Sequence, residues 1–288
     1  CFRLGGEELA GIGAVWYRRF YDTELPATLD EKYLRYCRRE SRMFLHSLFA
    51  SLRGALWVDP IPRVHLAHHK GLQIEVAKRC GFEVPETLLT NDPAEARRFF
   101  DGLEGRVVTK MLSSFSLTEN EVDLMVFTRT VTEEDFAEID GLRYCPMVFQ
   151  ERIPKDVELR VTVVGDRLFV ASIEAKEAGV PKDDWRRRTA ESALRFREDA
   201  VPREVEEATL RLMRAYGLVY GAIDLIRTPD GRHVFLEINS AGEWGWIHTE
   251  VGHPVAEALA DVLSGRVEVD RSRAELSDWS WMNQGETR

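Results

Sequence analysis

Apolar and polar residues alternate along two stretches of the chain in a pattern typical of antiparallel β-hairpins. In residues 221–239, two apolar-rich runs flank Thr228-Pro229-Asp230-Gly231, and Pro and Gly at these positions favour a tight turn. Residues 158–175 show the same pattern around Gly165-Asp166. We therefore predict two β-hairpins in the second half of the chain.

Apolar residues at helical spacing predict helices between these and other extended segments. Among the shorter apolar runs, residues 106–112 and 123–129 predict paired strands around a polar loop, and residues 12–16 predict a strand without an evident partner. The mixture predicts an α/β (α+β) fold. The predicted helices cover residues 30–56, 65–81, 93–103, 202–216 and 254–263.

The hairpin over residues 221–239 places oxygen-bearing side chains on one face. With a two-residue loop, Asp224 lies opposite Phe235 and Ala222 lies opposite Glu237. Asp224, Glu237 and Asn239 then share a face. The apolar residues of the other face anchor the hairpin on a core, and they are Ile223, Leu225, Val234, Leu236 and Ile238.

Two carboxylates held together in a poorly hydrated groove repel each other, so a cation between them is the natural remedy. A set of Asp, Glu and Asn oxygens suits Mg²⁺ or Mn²⁺, and Mg²⁺ bound by few carboxylates usually shares its shell with nucleotide phosphates. The alternative is a solvated polar face on an edge hairpin. A slip of one residue in register also separates the three side chains.

Composition narrows the classes of protein that the chain can represent. Its 288 residues are 44% hydrophobic, enough for a substantial core. The sequence has no apolar run of 18 residues and no signal-peptide pattern, so we predict a cytoplasmic protein without a membrane partner. A net charge of −10 disfavours nucleic acid as a partner.

Neither the cysteines nor the histidines form a strong metal-binding or disulfide pattern. The four cysteines are scattered without CxxC spacing, and because the first residue is Cys1, we expect an N-terminal piece to precede it. His65, His68 and His69 invite a metal interpretation, but no acidic or Cys residue lies near them in sequence. We interpret them as ordinary residues at a helix start.

From about His65 to Leu263 the order of these pieces resembles the ATP-grasp superfamily. The resemblance implies two α+β subdomains that clamp ATP, at 65–150 and 151–265, after part of a pre-ATP-grasp domain at 1–64 and before a tail at 266–288. The features that carry it are Lys70 in a helix, Lys110 before a flexible loop, FQERI at 149–153, Glu158 seven residues after Glu151, and Asp224 with Glu237 and Asn239.

Within that superfamily the sequence is most similar to the ligases that cyclise ribosomal precursor peptides, the graspetide or microviridin maturases. Such enzymes join an Asp or Glu side chain of a core peptide to a Thr or Ser hydroxyl or a Lys amine. The resemblance implies a precursor peptide as partner, ATP and Mg²⁺ (or Mn²⁺) as cofactors, and a homodimer. The matching phrases are AVWYRR, HHKGLQ, PETLLTNDP, KMLSSFSL, DWRR and LEINSAGEWGW.

The same resemblance implies roles for individual residues in binding the nucleotide. Lys70 and Lys110 contact the phosphates of ATP, where a compact ammonium charge offsets the charge of the polyphosphate. Glu158 holds the ribose hydroxyls. The lid loop contributes Ser113 and Ser114, and the hinge that receives adenine consists of Gln150, Glu151, Arg152 and Ile153.

The resemblance also implies the groups that act on the reacting atoms. Asp224, Glu237 and Asn239 hold Mg²⁺, and Arg160 reaches the γ-phosphate or the attacking carboxylate. A cross-strand ion pair is the alternative for Arg160. Arg186 and Arg187 suit the acyl phosphate or the acidic core peptide, or they form part of a solvated charge run.

Two other functions share most of these features. One is an amino-acid ligase that adds glutamate to a protein or peptide C-terminus, which uses the same fold and metal set. The other is a non-catalytic ATP-grasp module that only binds peptide or nucleotide. The complete Asp, Glu and Asn set disfavours the second.

Overall fold

A computed structural model describes residues 2–4, 6–9, 11–18, 24–112, 116–119, 122–125, 128–175, 194–270 and 276. Ser113, Ser114, Arg186 and Arg187 lie outside the described residues. In the parts of the chain that the structure covers, no helix has the length and apolar character needed to cross a bilayer.

The N-terminal part contains short strands and one long helix. Strands β3 and β4 pair in parallel, with Trp16 opposite Val58. The expectation that the first strand has no partner is wrong, because β4 is only three residues long and lies in a Pro-rich segment that shows no strand pattern. The elements are β1 (Arg3–Leu4), β2 (Glu7–Glu8), β3 (Ala14–Trp16), α1 (Glu31–Ser51) and β4 (Leu56–Val58).

The middle part forms a four-stranded antiparallel sheet in the order β5-β10-β6-β9. Its core includes Ala96 and Phe100 from α4 and Phe149 from β10. Two 3₁₀ helices, Glu133–Ala137 and Ile139–Tyr144, precede β10. The elements are α2 (Ile61–Ala67), α3 (Lys70–Arg79), β5 (Thr87–Thr90), α4 (Pro93–Gly102), β6 (Val107–Lys110), β7 (Ser116–Glu119), β8 (Val122–Met125), β9 (Arg129–Thr130) and β10 (Met147–Glu151).

Two predictions for this middle part need correction. The helix predicted over residues 65–81 is divided into α2 and α3, because the chain leaves the helical conformation at His69, whose backbone is extended. The predicted pairing of residues 106–112 with 123–129 is also wrong for most of its length. β8 pairs with β7, which occupies part of the predicted polar loop, and only Arg129 joins a strand beside β6.

The C-terminal part forms a five-stranded antiparallel sheet in the order β13-β12-β11-β14-β15. The mixed α/β prediction and both predicted hairpins are confirmed. A π-helical turn, Ile247–Val251, precedes the last helix. The elements are β11 (Val157–Val164), β12 (Arg167–Ala175), β13 (Leu194–Glu198), α5 (Arg203–Tyr216), β14 (Tyr220–Arg227), β15 (His233–Asn239) and α6 (Val255–Leu263).

The two faces of this larger sheet have different neighbours. Leu159, Val161 and Val163 point to one face, where they join a core with α3 and α5. At one end of the opposite face, Phe169 and Tyr220 pack in a second core with α6. Because side chains alternate along a strand, the residues between these apolar positions on β11 point to that opposite face and are available for a polar site.

The pairing of β14 with β15 differs from the predicted register in two steps. Thr228 N–H donates to Arg232 O at 2.9 Å, and Gly231 N–H donates to Thr228 O at 2.9 Å. The loop therefore has three residues rather than two, with Gly231 at a φ of +87°. A three-residue hairpin loop commonly ends with a residue in this left-handed conformation, which Gly adopts without strain.

The second step is a register shift between Asp224 and Leu225 that leaves Leu236 without a partner on β14. As a result Asp224 lies opposite Glu237 instead of Phe235, and Ala222 lies opposite Asn239 instead of Glu237. Phe235, fully buried, takes the core position that was predicted for Leu236.

Candidate active site

Four charged side chains form one row across the polar face of the larger sheet. Arg160 on β11 lies directly opposite Asp224 on β14, and Asp224 lies directly opposite Glu237 on β15. Lys70, in the first turn of α3, places Nζ 2.5 Å from Glu237 Oε2. Arg160 Nε lies 2.6 Å from Asp224 Oδ1. The charges along the row are therefore positive, negative, negative and positive.

This row is largely shielded from water. The exposed fraction of the side chain is 7% for Arg160, 15% for both Asp224 and Glu237, and 22% for Lys70. Two neighbouring carboxylates repel each other, and partial burial makes their charges costly unless each has a cation. Arg160 Nε lacks hydrogen-bond geometry toward Asp224 despite the short distance, so charge attraction dominates that contact.

The next row on the same face holds the amide of the predicted metal set. Thr162, Ala222 and Asn239 lie opposite one another on the three strands. Asn239 Oδ1 accepts a hydrogen bond from Ala241 N–H at 2.9 Å, which fixes the amide. Because the side chain of Ala222 is small, the loop after Asn239 can pack closely against this row.

Gly242 allows that loop to approach the row. A Cβ atom built on Gly242 would lie 2.4 Å from Ala222 Cβ and 3.1 Å from Arg160 Nη1. The buried hydroxyl of Tyr220 donates to Gly242 O at 2.6 Å, which holds the loop in place. Only glycine fits this close approach without a shift of the backbone.

The side chain of Gln73 hydrogen-bonds to the strand that carries Glu237 and Asn239. It accepts from Ile238 N–H at 3.1 Å and donates to Ile238 O at 2.9 Å. Ile238 lies between Glu237 and Asn239 on β15. Gln73 is 1% exposed. Its two hydrogen bonds therefore fix the position of Glu237 and Asn239 relative to α3.

The oxygen ligands on this face fit a hard divalent cation. No group of three or more His, Cys, Asp and Glu side chains suited to a metal occurs among the residues that the structure describes. Asp224 and Glu237 with the amide of Asn239 supply carboxylate and carbonyl oxygens only, which suits Mg²⁺ rather than Zn²⁺. A cation here would complete its shell with water or with phosphate oxygens.

The three histidines lie where α2 ends and α3 begins. His65 lies in the last turn of α2, and His69 precedes the first residue of α3. His68 Nε2 lies 3.3 Å from the hydroxyl of Ser240, the residue that follows Asn239. Partial burial lowers the pKa of His68 below its ordinary value of 6.5, and His65, Lys70 and His69 lower it further.

The residues predicted to bind the nucleotide lie on the smaller sheet and on the chain that leaves it. Lys110, the last residue of β6, donates from Nζ to Gln150 Oε1 at 3.1 Å. The N–H groups of Glu151 and Arg152 donate to backbone carbonyls within the protein, both at 2.8 Å. In the described part of the chain the N–H of Ile153 has no such partner.

Glu158 lies on β11, two residues before Arg160 and on the same face of the strand. It forms an ion pair with Lys155. The structure thus brings Lys70, Arg160 and the three predicted metal ligands together, with Glu158 at the margin of that group. Lys110 and Gln150 form a second group on the smaller sheet.

Sequence reasoning did not assign roles to several residues that shape this site. Gln73 is a polar residue within the apolar stripe of α3, a signal that could have found it. Gly242 and Glu243 follow the metal set closely in sequence, and Arg18 lies in the quoted phrase AVWYRR. The ion pair between Arg18 and Glu243 joins the N-terminal part to the site loop, and no sequence pattern indicated it.

Two protein-family models match successive parts of the chain. Residues 67–263 match the family model described as "RimK-like ATP-grasp domain". Residues 5–65 match the model described as "MvdD pre-ATP grasp domain". A curated relative, the tetrahydromethanopterin:alpha-L-glutamate ligase of Methanocaldococcus jannaschii, is 23% identical over 189 residues, which are 65% of this chain. The match spans 62% of the length of that ligase.

Solved structures of peptide-modifying ligases are also similar. Macrocyclase MdnC of Microcystis aeruginosa, bound with precursor peptide MdnA, is 39% identical with a TM-score of 0.79, covering 88% of this chain and 79% of that chain. A RiPP-associated ATP-grasp ligase of Chryseobacterium gregarium, in complex with ADP and a leader and core peptide, is 32% identical with a TM-score of 0.80. That match covers 89% of this chain and 78% of the other. The chain belongs to the RimK-like ATP-grasp family.

Proposed function

We propose that this protein is an ATP-dependent ligase that activates Asp or Glu side chains of a ribosomally made precursor peptide and joins them to Thr or Ser hydroxyls or Lys amines. The observation that carries the proposal is the largely buried row of charges formed by Arg160, Asp224, Glu237 and Lys70. The similarity to two peptide-modifying ligases at 39% and 32% identity supports the choice of substrate.

The metal ligands in this proposal are Asp224, Glu237 and Asn239. These residues would hold Mg²⁺ or Mn²⁺, which would supply positive charge to offset that of the phosphoryl group. The two carboxylates lie opposite each other and are largely shielded from water, so they form an adjacent pair of oxygen ligands on one face. Arg160 and Lys70 at the two ends of the row keep positive charge on either side of the reacting phosphoryl group.

The nucleotide in this proposal spans the two sheets. Lys110 and Lys70 contact phosphate oxygens, and Glu158 accepts hydrogen bonds from the ribose. For adenine, Ile153 supplies the N–H donor, because the N–H groups of Glu151 and Arg152 are already used within the protein.

The reaction proceeds in two steps. A substrate carboxylate takes the γ-phosphoryl group of ATP, with release of ADP, and becomes an acyl phosphate. A hydroxyl or amine then attacks the acyl carbon and loses its proton, and phosphate departs. The protein contributes positioning, charge neutralisation and exclusion of water. Arg186, Arg187, Ser113 and Ser114 keep the roles that the resemblance implies, as predictions.

Mass spectrometry of a peptide reaction tests the proposal. With ATP, Mg²⁺ and an acidic, Thr-containing precursor, we expect the peptide to lose the mass of one water for each bond formed. Asp224→Asn should slow peptide-dependent ADP release by about 10²-fold or more, because it removes charge from the metal set. Glu206→Gln, on the exposed side of α5, is the matched control and should retain full activity.

A second candidate is an amino-acid ligase that adds glutamate to a C-terminus, which the similarity to a glutamate ligase favours. Both activities release ADP, so nucleotide turnover does not separate them. A gain in peptide mass equal to an added glutamate residue, in place of the loss of water, would replace the first proposal with the second.

A further inference from the structure

Beside the row of charges lies a group of hydrogen-bond donors without acceptors. Among the described residues, the buried N–H groups that lack a partner include Nε of Arg18 and the indole Nε1 of Trp16 and of Trp244. The rings of Trp16 and Trp244 are 6.2 Å apart between centroids, and the Arg18 guanidinium carbon lies 5.7 Å from the Trp16 ring centroid. Buried donors without acceptors are rare in native proteins, so this cluster indicates an acceptor-rich ligand.

Glu243 satisfies only part of this demand. Its carboxylate contacts Nη2 of Arg18, while Nε of the same guanidinium has no partner among the residues that the structure describes. Arginine binds a carboxylate best through two parallel N–H groups. The single contact with Glu243 therefore leaves one of these two N–H groups of Arg18 available to another carboxylate oxygen. The side chain of Glu243 is 52% exposed and can turn toward solvent without disturbing the core.

The Arg18–Glu243 pair is directly connected to the candidate active site. The carbonyl oxygen of Glu243 accepts from Arg160 Nη1 at 3.4 Å. The preceding residue, Gly242, packs against Arg160 and Ala222. A carboxylate bound at Arg18 would therefore lie next to the loop that contacts Arg160, the residue directly opposite Asp224.

We propose that Arg18 is a specificity-determining residue that binds an acidic side chain of the peptide substrate, and that Glu243 occupies this position until the substrate displaces it. The inference rests on the proposed function and goes further, because it assigns the choice of an acidic peptide to a residue of the N-terminal part. The incoming carboxylate pairs with both Nε and Nη2 of Arg18. The ring of Trp16 lies beside the Arg18 guanidinium.

The exchange predicts opposite effects for the two members of the pair. We would titrate the protein, with ADP and Mg²⁺, with a synthetic peptide rich in Glu and Thr, and with the same peptide carrying Gln in place of every Glu. Arg18→Gln should weaken binding of the Glu peptide about tenfold and remove the preference over the Gln peptide. Glu243→Gln should strengthen binding of the Glu peptide about threefold or more, because the internal competitor is lost.

Further variants separate this exchange from a purely structural contact. The double variant should bind as Arg18→Gln does, because Glu243 can compete with the peptide carboxylate only when Arg18 is present. Arg18→Lys keeps the charge but lacks the planar fork and should keep only part of the preference. Arg38→Gln and Glu40→Gln, both exposed on α1, are charge-matched controls that should leave binding unchanged.

If Arg18→Gln and Glu243→Gln weakened binding of the Glu peptide equally, the inference would be overturned. The ion pair would then have only a structural role between the N-terminal part and the site loop. A full Glu preference in a folded Arg18→Gln or Arg18→Lys variant would also overturn the inference. Failure of the proposed function looks different: the unaltered protein would then neither bind the Glu peptide nor release ADP in its presence.

Discussion

At the scale of single residues, Arg160 shows why the site is difficult to dissect by removing its charges. Its guanidinium neutralises Asp224 and also donates to the carbonyl oxygen of Glu243. Replacing Arg160 removes the guanidinium that neutralises Asp224, so the same variant is expected to lose both activity and stability. Substitutions at glycine positions around the site change its shape without changing its charge. They are therefore more informative than substitutions of Arg160.

Gly242→Ala should damage the site by steric means alone. Its Cβ would lie 2.4 Å from Ala222 Cβ, so the loop must move away from Arg160. We expect the free energy of unfolding to fall by about 1–3 kcal/mol, as for other overpacked positions, and the rate of peptide-dependent ADP release to fall at least tenfold. Gly245→Ala, where an added Cβ has open space, is the control. Equal rates in the two variants would show that the close approach is unimportant.

Lys110→Ala should weaken nucleotide binding. Lys110 lies at the end of β6 and donates to Gln150, next to the chain predicted to receive adenine. Hydrogen bonds to charged groups contribute about 1.5–3 kcal/mol, so we expect the Kd for ATP to rise by about tenfold or more in calorimetric titrations. Lys78→Ala, an exposed lysine in the last turn of α3, serves as the control. An unaltered Kd in Lys110→Ala would remove its phosphate role.

At the scale of elements, the hairpin of β14 and β15 shows what the sequence could predict. The alternation of residue types correctly placed Asp224, Glu237 and Asn239 on one face. The predicted strand register was wrong by one residue because the loop has three residues rather than two. It was wrong by one more residue because Leu236 has no partner on β14. Because side chains alternate with a period of two, the two shifts together return Glu237 to the face of Asp224. A single shift would have separated the carboxylates.

Other elements were missed because they are short. β4 and β7 have three and four residues, too few for a repeating pattern, and their pairing depends on distant parts of the chain. The long helices carry their own capping signals and several turns of apolar spacing. Asp30 and Asp92, for example, accept backbone N–H groups at the starts of α1 and α4, as their sequences predict.

His68, at the break between α2 and α3, makes the stability of the protein depend on pH. The pKa of His68 is lowered by burial and by His65, Lys70 and His69. As the pH falls, His68 therefore takes up a proton near pH 6.5 in the unfolded chain but only at lower pH in the folded protein. Proton uptake thus favours the unfolded chain, and the free energy of unfolding decreases as the pH falls below about 6.5. The melting temperature should fall between pH 7 and about pH 5.5.

His68→Gln should make this fall smaller. The slope should not vanish, because burial also lowers the pKa of His233 and gives it the same sign. His46→Gln, on an exposed face of α1, is the control. Identical slopes in the His68 and His46 variants would contradict the assignment.

At the scale of the whole molecule, Asp59 ties the N-terminal part to the larger sheet. Its carboxylate, 1% exposed, accepts from Val219 N–H at 2.6 Å and from Tyr220 N–H at 3.1 Å. Tyr220 is the first residue of β14, the strand that carries Asp224, and Val219 immediately precedes it. The N-terminal part is therefore bonded to the same strand as the candidate metal site.

Asp59→Ala should destabilise the protein by about 2–4 kcal/mol, because two buried N–H groups lose their acceptor. Chemical denaturation measures the difference directly. Asp59→Asn keeps one acceptor oxygen and should cost less. Asp140→Ala, at a position whose side chain is 88% exposed, should change the unfolding free energy by less than about 0.5 kcal/mol. A similarly small change in Asp59→Ala would count against the tie.

β15 is an edge strand of the larger sheet, yet two contacts cover its outer side. Gln73 binds both the N–H and the carbonyl of Ile238, and Glu83 O accepts from Phe235 N–H at 2.8 Å. An incoming peptide or a second molecule cannot pair its backbone with these groups. The strand that carries Glu237 and Asn239 is thereby guarded against strand addition and against the edge-to-edge aggregation that begins with it.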